Sequence, residues 1–100
     1  MIDFKRLRFT FPRTTGRAQT STLAAVFPSR INRADAAING FDIGYEGVDH
    51  HLLRTRVDAV VAIDNNTVNV TTTFSLKDSS GNFDDPYSGF VDVLVIADRV

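Results

Sequence analysis

Two neighbouring stretches in the second half of the chain alternate apolar and polar residues with a period of two. A strand points successive side chains to opposite faces, so each stretch is predicted to be a strand that buries one face. The inward positions are Leu53, Val57, Ala59, Val61 and Ile63, then Val68, Val70, Thr72, Phe74 and Leu76. Between them, Asp64-Asn65-Asn66 predicts a tight turn, because asparagine tolerates a positive φ and hydrogen-bonds its own backbone. The pattern therefore predicts a β-hairpin.

Four further strands are predicted in the rest of the chain. Residues 7–11 alternate apolar and basic side chains up to Pro12, which has no N–H for a ladder and is expected to end the strand. Residues 20–27 and 90–97 are further candidates. In residues 34–45 the apolar positions change parity at Asn39-Gly40, where a β-bulge would return them all to one face. Six strands without an amphipathic helix predict an all-β fold, a six-stranded antiparallel β-sandwich.

The last predicted strand is apolar on both of its faces. One face carries Phe90, Leu94 and Ile96, and the other carries Val91, Val93 and Val95. A sandwich strand in a monomer normally turns one face to water. We therefore expect the three valines, extended by Val60 and Ala62, to form a subunit interface. Coverage of this face by the N-terminal segment is the alternative.

The size and charge distribution indicate one domain over residues 1–100 with an uneven surface. The chain is 43% hydrophobic and 23% charged, which is ordinary for a globular domain. Residues 1–33 contain seven basic residues (Lys or Arg) and one acidic residue. Residues 34–100 contain four basic and eleven acidic residues. A basic N-terminal arm or strand, residues 1–19, is therefore expected to face acidic groups of its own or a neighbouring subunit. Nucleic acid is not an expected partner, because the remaining surface would repel phosphate.

Several classes of protein are disfavoured by what the sequence lacks. Without cysteine there are no disulfides, thiolate metal sites or cysteine nucleophiles. No apolar run approaches the roughly 18 residues of a membrane span, so no membrane partner is expected. The first residues lack the apolar segment of a secretory signal, which predicts synthesis in the cytoplasm. Neither a nucleophile elbow nor a glycine-rich phosphate loop is present, so we expect no enzymatic activity.

A cluster of oxygen and imidazole side chains follows the third predicted strand. It consists of Asp42, Glu46, Asp49, His50 and His51. Adjacent histidines of an extended chain point to opposite faces and cannot both bind one ion, so no metal is expected. The cluster is interpreted either as a hydrogen-bonded polar loop or as a ligand site.

In the ligand-site hypothesis, the cluster recognises hydroxyl groups. Asp49 and His50 would accept and donate hydrogen bonds, while Arg54 or Arg56 would supply a fork of donors. The segment Asp78–Asp85 offers hard oxygen donors that suit calcium, but it lacks the carboxylate spacing of an EF-hand loop. We therefore expect an ordinary loop there and no cofactor.

The order of these motifs resembles the H-type lectin family. The matching segments are Gly40-Phe41-Asp42, Asp49-His50-His51, Arg54 with Arg56, Val68–Thr73 and Val95–Ala97. The similarity covers about residues 23–97. It implies a six-stranded sandwich that assembles as a trimer or hexamer and binds galactose or N-acetylgalactosamine at subunit boundaries.

The family usually has an aromatic residue, often Trp followed by Asp or His, at the end of the strand that here reads Thr72–Asp78. This chain has no tryptophan, and the matching position falls near Asp78. A ring from Phe83 or Tyr87 in the following loop would replace it.

Two function classes follow from this comparison. The first is an oligomeric carbohydrate-binding module with Asp42, Asp49, His50 and Arg54 at one end of the sandwich. The second is a structural or assembly protein, such as a virion or tail component, with the same sandwich and no sugar site.

Overall fold

The computed structural model of the protein describes residues 1–14, 18–45, 52–78 and 86–100, and within them every predicted strand is present. The strands are β1 (Ile2–Thr14), β2 (Gln19–Val26), β3 (Ile31–Tyr45), β4 (Leu52–Asp64), β5 (Thr67–Asp78) and β6 (Tyr87–Arg99). The all-β prediction is confirmed. The described residues contain no helix that is long and apolar enough to cross a membrane.

The six strands form two antiparallel three-stranded sheets. Sheet I has the order β1-β6-β3, and sheet II has the order β2-β5-β4. Strand β1 lies across from β2, β6 from β5, and β3 from β4. Each sheet therefore has one central strand and two edge strands, an arrangement compatible with the predicted β-sandwich.

The hairpin between β4 and β5 is confirmed. Asp64 pairs with Thr67, and Asn65 adopts a positive φ of 56° in the two-residue turn. The connection from β2 to β3 then binds this turn through its backbone. Phe27 N donates to the carbonyl of Asn66 at 2.9 Å, and Ile31 N donates to that of Asn65 at 2.8 Å. The turn thus joins the two sheets at one end.

The predicted bulge in β3 is also confirmed. The register with β6 shifts between Ile38 and Gly40, so Ile38 pairs with Val93 and Phe41 pairs with Val91. Directly paired residues of adjacent strands share a face of the sheet. The bulge therefore turns the apolar residues before and after it toward the same side of sheet I.

The basic N-terminal segment forms an edge strand. The sequence predicts that β1 ends at Pro12, but the strand continues to Thr14 through a register shift between Phe11 and Thr14. A proline is tolerated at such an irregularity because no ladder N–H is needed there. Phe9 and Phe11 are buried, whereas Arg6 and Arg8 are exposed, in agreement with the alternation of this segment.

The predicted orientation of β6 is wrong. Val91, Val93 and Val95 are fully buried between the sheets, whereas Phe90, Leu94 and Ile96 lie half-buried on the outer face of sheet I. The valines therefore form the core and cannot be a subunit interface. Val60 and Ala62 also do not extend a patch with them, because both are exposed on the outer face of sheet II.

The core is built mainly by the two central strands. Strand β6 contributes Tyr87, Val91, Val93, Val95 and Ala97, and β5 contributes Val68, Val70, Thr72, Phe74 and Leu76. The ring of Phe74 packs between two other aromatic rings, at 3.9 Å from that of Phe11 and 5.4 Å from that of Tyr87, measured between centroids. The alternation predicted for β5 is thereby confirmed.

Thr72 places a hydroxyl in this core. Thr72 is fully buried, and its Oγ1 makes no hydrogen bond within the part of the chain that the structure describes. A buried hydroxyl without a partner costs about 1–3 kcal/mol. The neighbouring Thr71 faces outward, where its Oγ1 lies 2.8 Å from that of Thr22.

We expect Thr72→Val to stabilise the protein by about 1 kcal/mol, because valine fills the same space without an unpaired hydroxyl. The measurement is the free energy of unfolding in urea. Thr71→Val is the matched control and should leave stability unchanged or lower it, since it removes a surface hydrogen bond. Equal effects of the two substitutions would contradict this explanation.

Candidate functional site

The structure does not bring the predicted ligand residues together. Asp42 pairs with Phe90 and points to the outer face of sheet I. Arg54 and Arg56 are exposed on β4. They have the opposite parity to Val57, which faces inward, so they lie on the outer face of sheet II. The two faces are on opposite sides of the sandwich, so Asp42 and these arginines cannot line one pocket within a single subunit. That part of the predicted site is corrected.

Tyr87 must also be removed from the predicted site. The residue is fully buried, and burial raises the pKa of its phenol. Its ring packs edge-on against Phe74 in the core, so it cannot stack on a sugar. The physical reason is parity, because Tyr87 lies on the same face of β6 as the buried valines.

Other predicted site residues lie outside the described residues. These are Asp49 and His50, together with Phe83 and the part of the proposed calcium segment from residue 79 to residue 85. Asp78 ends β5, where its backbone pairs with Leu52. Within the described ranges there is no group of three or more His, Asp or Glu side chains placed to hold a metal ion.

A cleft of about 230 Å³ lies where the end of β3 meets the start of β6. Its lining combines Asp42, Gly44 and Tyr45 with Ser88, Gly89 and Phe90. Gly89 has a φ of +156°, and a Cβ at this position would collide with the backbone carbonyl of Asp42. Glycine is therefore required for the close approach of the two strands, and it leaves the floor of the cleft without a side chain.

Arg8, which is not among the predicted ligand residues, lies beside this cleft. The Arg8 guanidinium donates a forked pair of hydrogen bonds to Asp92, from Nε to Oδ1 at 2.7 Å and from Nη2 to Oδ2 at 2.9 Å. Its central carbon is 4.0 Å from the centroid of the Phe90 ring. The fork and the ring together orient the guanidinium plane. The arrangement was missed because Arg8 and Asp92 are distant in sequence and meet only through the pairing of β1 with β6.

The same ion pair sets the electrostatics of this face. The hydrogen bonds from Arg8 hold the pKa of Asp92 below its usual value of 3.8, with a smaller contribution from the charge of Arg6. The hydrogen bonds to Asp92 in turn raise the pKa of Arg8. At the other end of sheet I, Asp98 lies 3.2 Å from the N-terminal amine and 3.7 Å from Arg33. The charge asymmetry of the sequence is therefore balanced in part by contacts between β1, β3 and β6.

A second feature is the open side of the sandwich between β3 and β4. Ile38 and Phe41 belong to the inner face of sheet I, yet they are 38% and 53% exposed. Opposite them, Val57, Ala59 and Val61 of β4 are only half-buried. Both strands are edge strands of the described sheets, with no further strand beside them. The apolar interior is consequently open to water along this side.

No known protein family, characterised protein or solved structure matches this chain in the comparisons made.

We expect Asp92→Asn to lower the melting temperature at pH 7, because the ion pair with Arg8 is lost. A carboxyl whose pKa is lower in the folded state stabilises above its unfolded pKa, near 3.8, and this contribution disappears as pH falls through the folded pKa. The difference in melting temperature between the wild type and the variant should therefore become smaller below pH 4. Thermal unfolding followed by circular dichroism from pH 7 to pH 2 measures it.

The matched control for this measurement is the same substitution in an Arg8→Gln background. If the pair is the cause, Asp92→Asn should have little further effect there. A difference that persists at pH 2, or that is unchanged without Arg8, would contradict the assignment.

Proposed function

We propose that this protein is a non-catalytic assembly module whose copies associate through the open β3–β4 side. The observation that supports this is the exposure of Ile38 and Phe41 on the inner face of sheet I. Together with Val57, Ala59 and Val61 on β4, these two side chains form an apolar strip along the open side. Such a strip favours association, because each apolar side chain is stabilised when a partner covers it.

The bulge at Asn39-Gly40 affects how a partner can contact this strip. It lies between Ile38 and Phe41 on the edge strand β3, and a bulge increases the local twist of its strand. Increased twist turns an edge away from simple strand addition, so side-chain packing is the favoured mode of contact. The resemblance to H-type lectins implies a trimer or hexamer, and three open sides packed around one axis would bury all of the strips.

The dispersal of the predicted sugar ligands favours assembly over carbohydrate binding as the main function. Asp42 and Arg54 lie on opposite outer faces, and Tyr87 lies in the core. A pocket that depends on all three within one subunit cannot form. A structural role needs only the sandwich and its exposed surfaces.

We expect Phe41→Glu to prevent association through the open side, because a carboxylate would be placed in the apolar strip. Light scattering and analytical ultracentrifugation at micromolar concentration should show loss of the trimer or hexamer. Val60→Glu is the matched control, since Val60 is 64% exposed but points to the outer face of sheet II and not into the open side. A Phe41→Glu protein with the wild-type mass would contradict the proposal.

Carbohydrate binding is the second candidate function, and the cleft at Asp42 favours it. The cleft combines a carboxylate, the Ser88 hydroxyl and the half-buried Phe90 ring, which is the mixture that sugar hydroxyls and the apolar sugar face require. The guanidinium of Arg8 already covers part of the Phe90 ring, so a sugar could stack only on the remaining part of the ring. Binding of galactose or N-acetylgalactosamine should accordingly be weak, with a Kd of about 1 mM.

An NMR titration with each sugar, alongside a glycan array, tests this candidate. Asp42→Asn should abolish the shifts that sugar induces at Gly89 and Phe90, whereas Asp64→Asn in the distant hairpin turn should leave them unchanged. The candidate fails if neither sugar shifts these signals, or if sugar binds elsewhere with Asp42 replaced.

A further inference from the structure

The outer face of sheet I carries an apolar band bordered by one unpaired charge of each sign. The band consists of Ile2, Phe4, Leu94 and Ile96, of which Ile2 and Phe4 are 57% and 56% exposed. Arg6 on β1 and Asp35 on β3 border it from the two edge strands. Neither Arg6 nor Asp35 makes an ion pair with any other residue that the structure describes. Asp35 accepts a hydrogen bond from the backbone N of Ala36, which leaves its charge unbalanced.

Most of the remaining charges on this face are already neutralised in pairs, with Asp42 at the end of β3 as the exception. Arg8 is bound to Asp92, and Asp98 lies near both Arg33 and the N-terminal amine. Desolvating such pairs is less costly than desolvating an isolated charge. A partner covering the apolar band must therefore supply opposite charges mainly at two points, an acid at Arg6 and a base at Asp35.

The strand register places these two points one row apart, on opposite sides of the central strand. Arg6 pairs with Leu94, and Asp35 pairs with Ile96. Leu94 and Ile96 are successive outward residues of β6, about 7 Å apart along the strand. A chain with the same face would therefore offer an acid and a base one row away from the positions directly opposite.

A two-fold axis that runs between two such sheets, parallel to β6, turns the two faces toward each other. It sets β1 of each copy over β3 of the other, with the strands aligned as in a common class of sheet packing. Arg6 of one copy then lies opposite Ala37 of the second, because both residues pair with Leu94. Asp35 is one row farther along the same strand, about 7 Å away, within reach of a long arginine side chain.

We propose that the occupant of this face is a second copy of the same chain, packed sheet to sheet about that two-fold axis. A two-fold interface requires a patch that complements itself, and the apolar band with Arg6 and Asp35 meets this requirement. The axis also sets Asp92 opposite the Asp92 of the other copy, where each carboxylate is neutralised by its own Arg8. Leu94 and Ile96 lie along the axis and meet the same residues of the other copy. The small side chain of Ala37 leaves room for the guanidinium of Arg6 to turn toward Asp35, which lies opposite Phe4 of the same copy as Arg6.

The size of the face agrees with a weak but specific dimer. Three strands about 4.8 Å apart, each of about 13 residues at about 3.3 Å, cover roughly 14 by 43 Å, or about 600 Å² per copy. The total of about 1,200 Å² is at the lower end of the range for specific interfaces. We therefore expect dissociation at micromolar rather than nanomolar concentration.

A charge exchange tests the contact between Arg6 and Asp35. Arg6→Glu brings two acids together, and Asp35→Arg brings two bases together, so each variant alone should lose the two-fold contact. The double variant Arg6→Glu/Asp35→Arg restores opposite charges and should regain it. An equimolar mixture of the two single variants should form a mixed dimer. In that dimer the two substituted positions attract each other, and the two unaltered side chains form the second contact.

Analytical ultracentrifugation over a range from about 1 to 200 μM measures these masses, and circular dichroism verifies that each variant is folded. Arg54→Glu is the matched control, since it makes the same charge change on the outer face of sheet II and should leave the mass unaltered. The test separates this contact from the open side. Loss of the two-fold contact should halve a hexamer to a trimer, whereas Phe41→Glu should reduce it to a dimer.

Three results would overturn the proposal. The first is a Phe41→Glu variant that is entirely monomeric at 200 μM. The two-fold contact does not involve Phe41, so it should still hold this variant as a dimer. The second is single charge variants with the mass of wild type. The third is loss of association in both single variants without recovery in the double variant or in the mixture.

Discussion

The stability of both sheets depends on the contact between their two central strands. β5 and β6 are the strands of the described structure that have a hydrogen-bonded neighbour on both sides, and their inward side chains meet across the sandwich. The valines of β6 and the alternate residues of β5 are almost completely excluded from water. The other four strands each have a free edge in the described sheets, so some of their inward side chains are buried less completely. Ile38, Phe41 and Leu23 are examples.

This narrow architecture explains why two different surfaces carry apolar side chains. The open side exposes residues that a wider sheet would cover with a further strand. The outer face of sheet I carries apolar residues because β6 is apolar on both faces, of which the interior accepts one, and because Ile2 and Phe4 of β1 point outward beside it. The two surfaces are approximately perpendicular to each other, one at the side of the sandwich and one on its face. Association through each is therefore geometrically compatible with association through the other.

The fate of the predicted ligand site follows from how the chain crosses between sheets. Asp42 and Arg54 are separated by twelve positions, which suggests proximity. However, β3 belongs to sheet I and β4 to sheet II, and both residues take outward positions. Outward positions of facing sheets point in opposite directions, so closeness in sequence becomes separation in space. Arg8 and Asp92 show the reverse, since antiparallel pairing brings distant residues into a forked ion pair.

The sequence by itself determined those elements in which only one side of a strand is apolar. The β4–β5 hairpin, the inward row of β5 and the bulge at Asn39-Gly40 were all predictable, because burying the polar side would have cost too much. The sequence also indicates which face of β6 points inward. Asp92 and Asp98 share a face with Leu94 and Ile96, so an inward orientation of that face would have buried two carboxylates.

Tertiary structure alone decided which residues meet across strands and sheets. The pairing of β1 with β6 joins Arg8 to Asp92. Together with the pairing of β3 with β6, it also places the unpaired Arg6 and Asp35 on either side of one apolar band. Alternation assigns a side chain to a face, but strand order and register assign its neighbours. Those depend on long-range packing of β5 against β6, which no local pattern encodes.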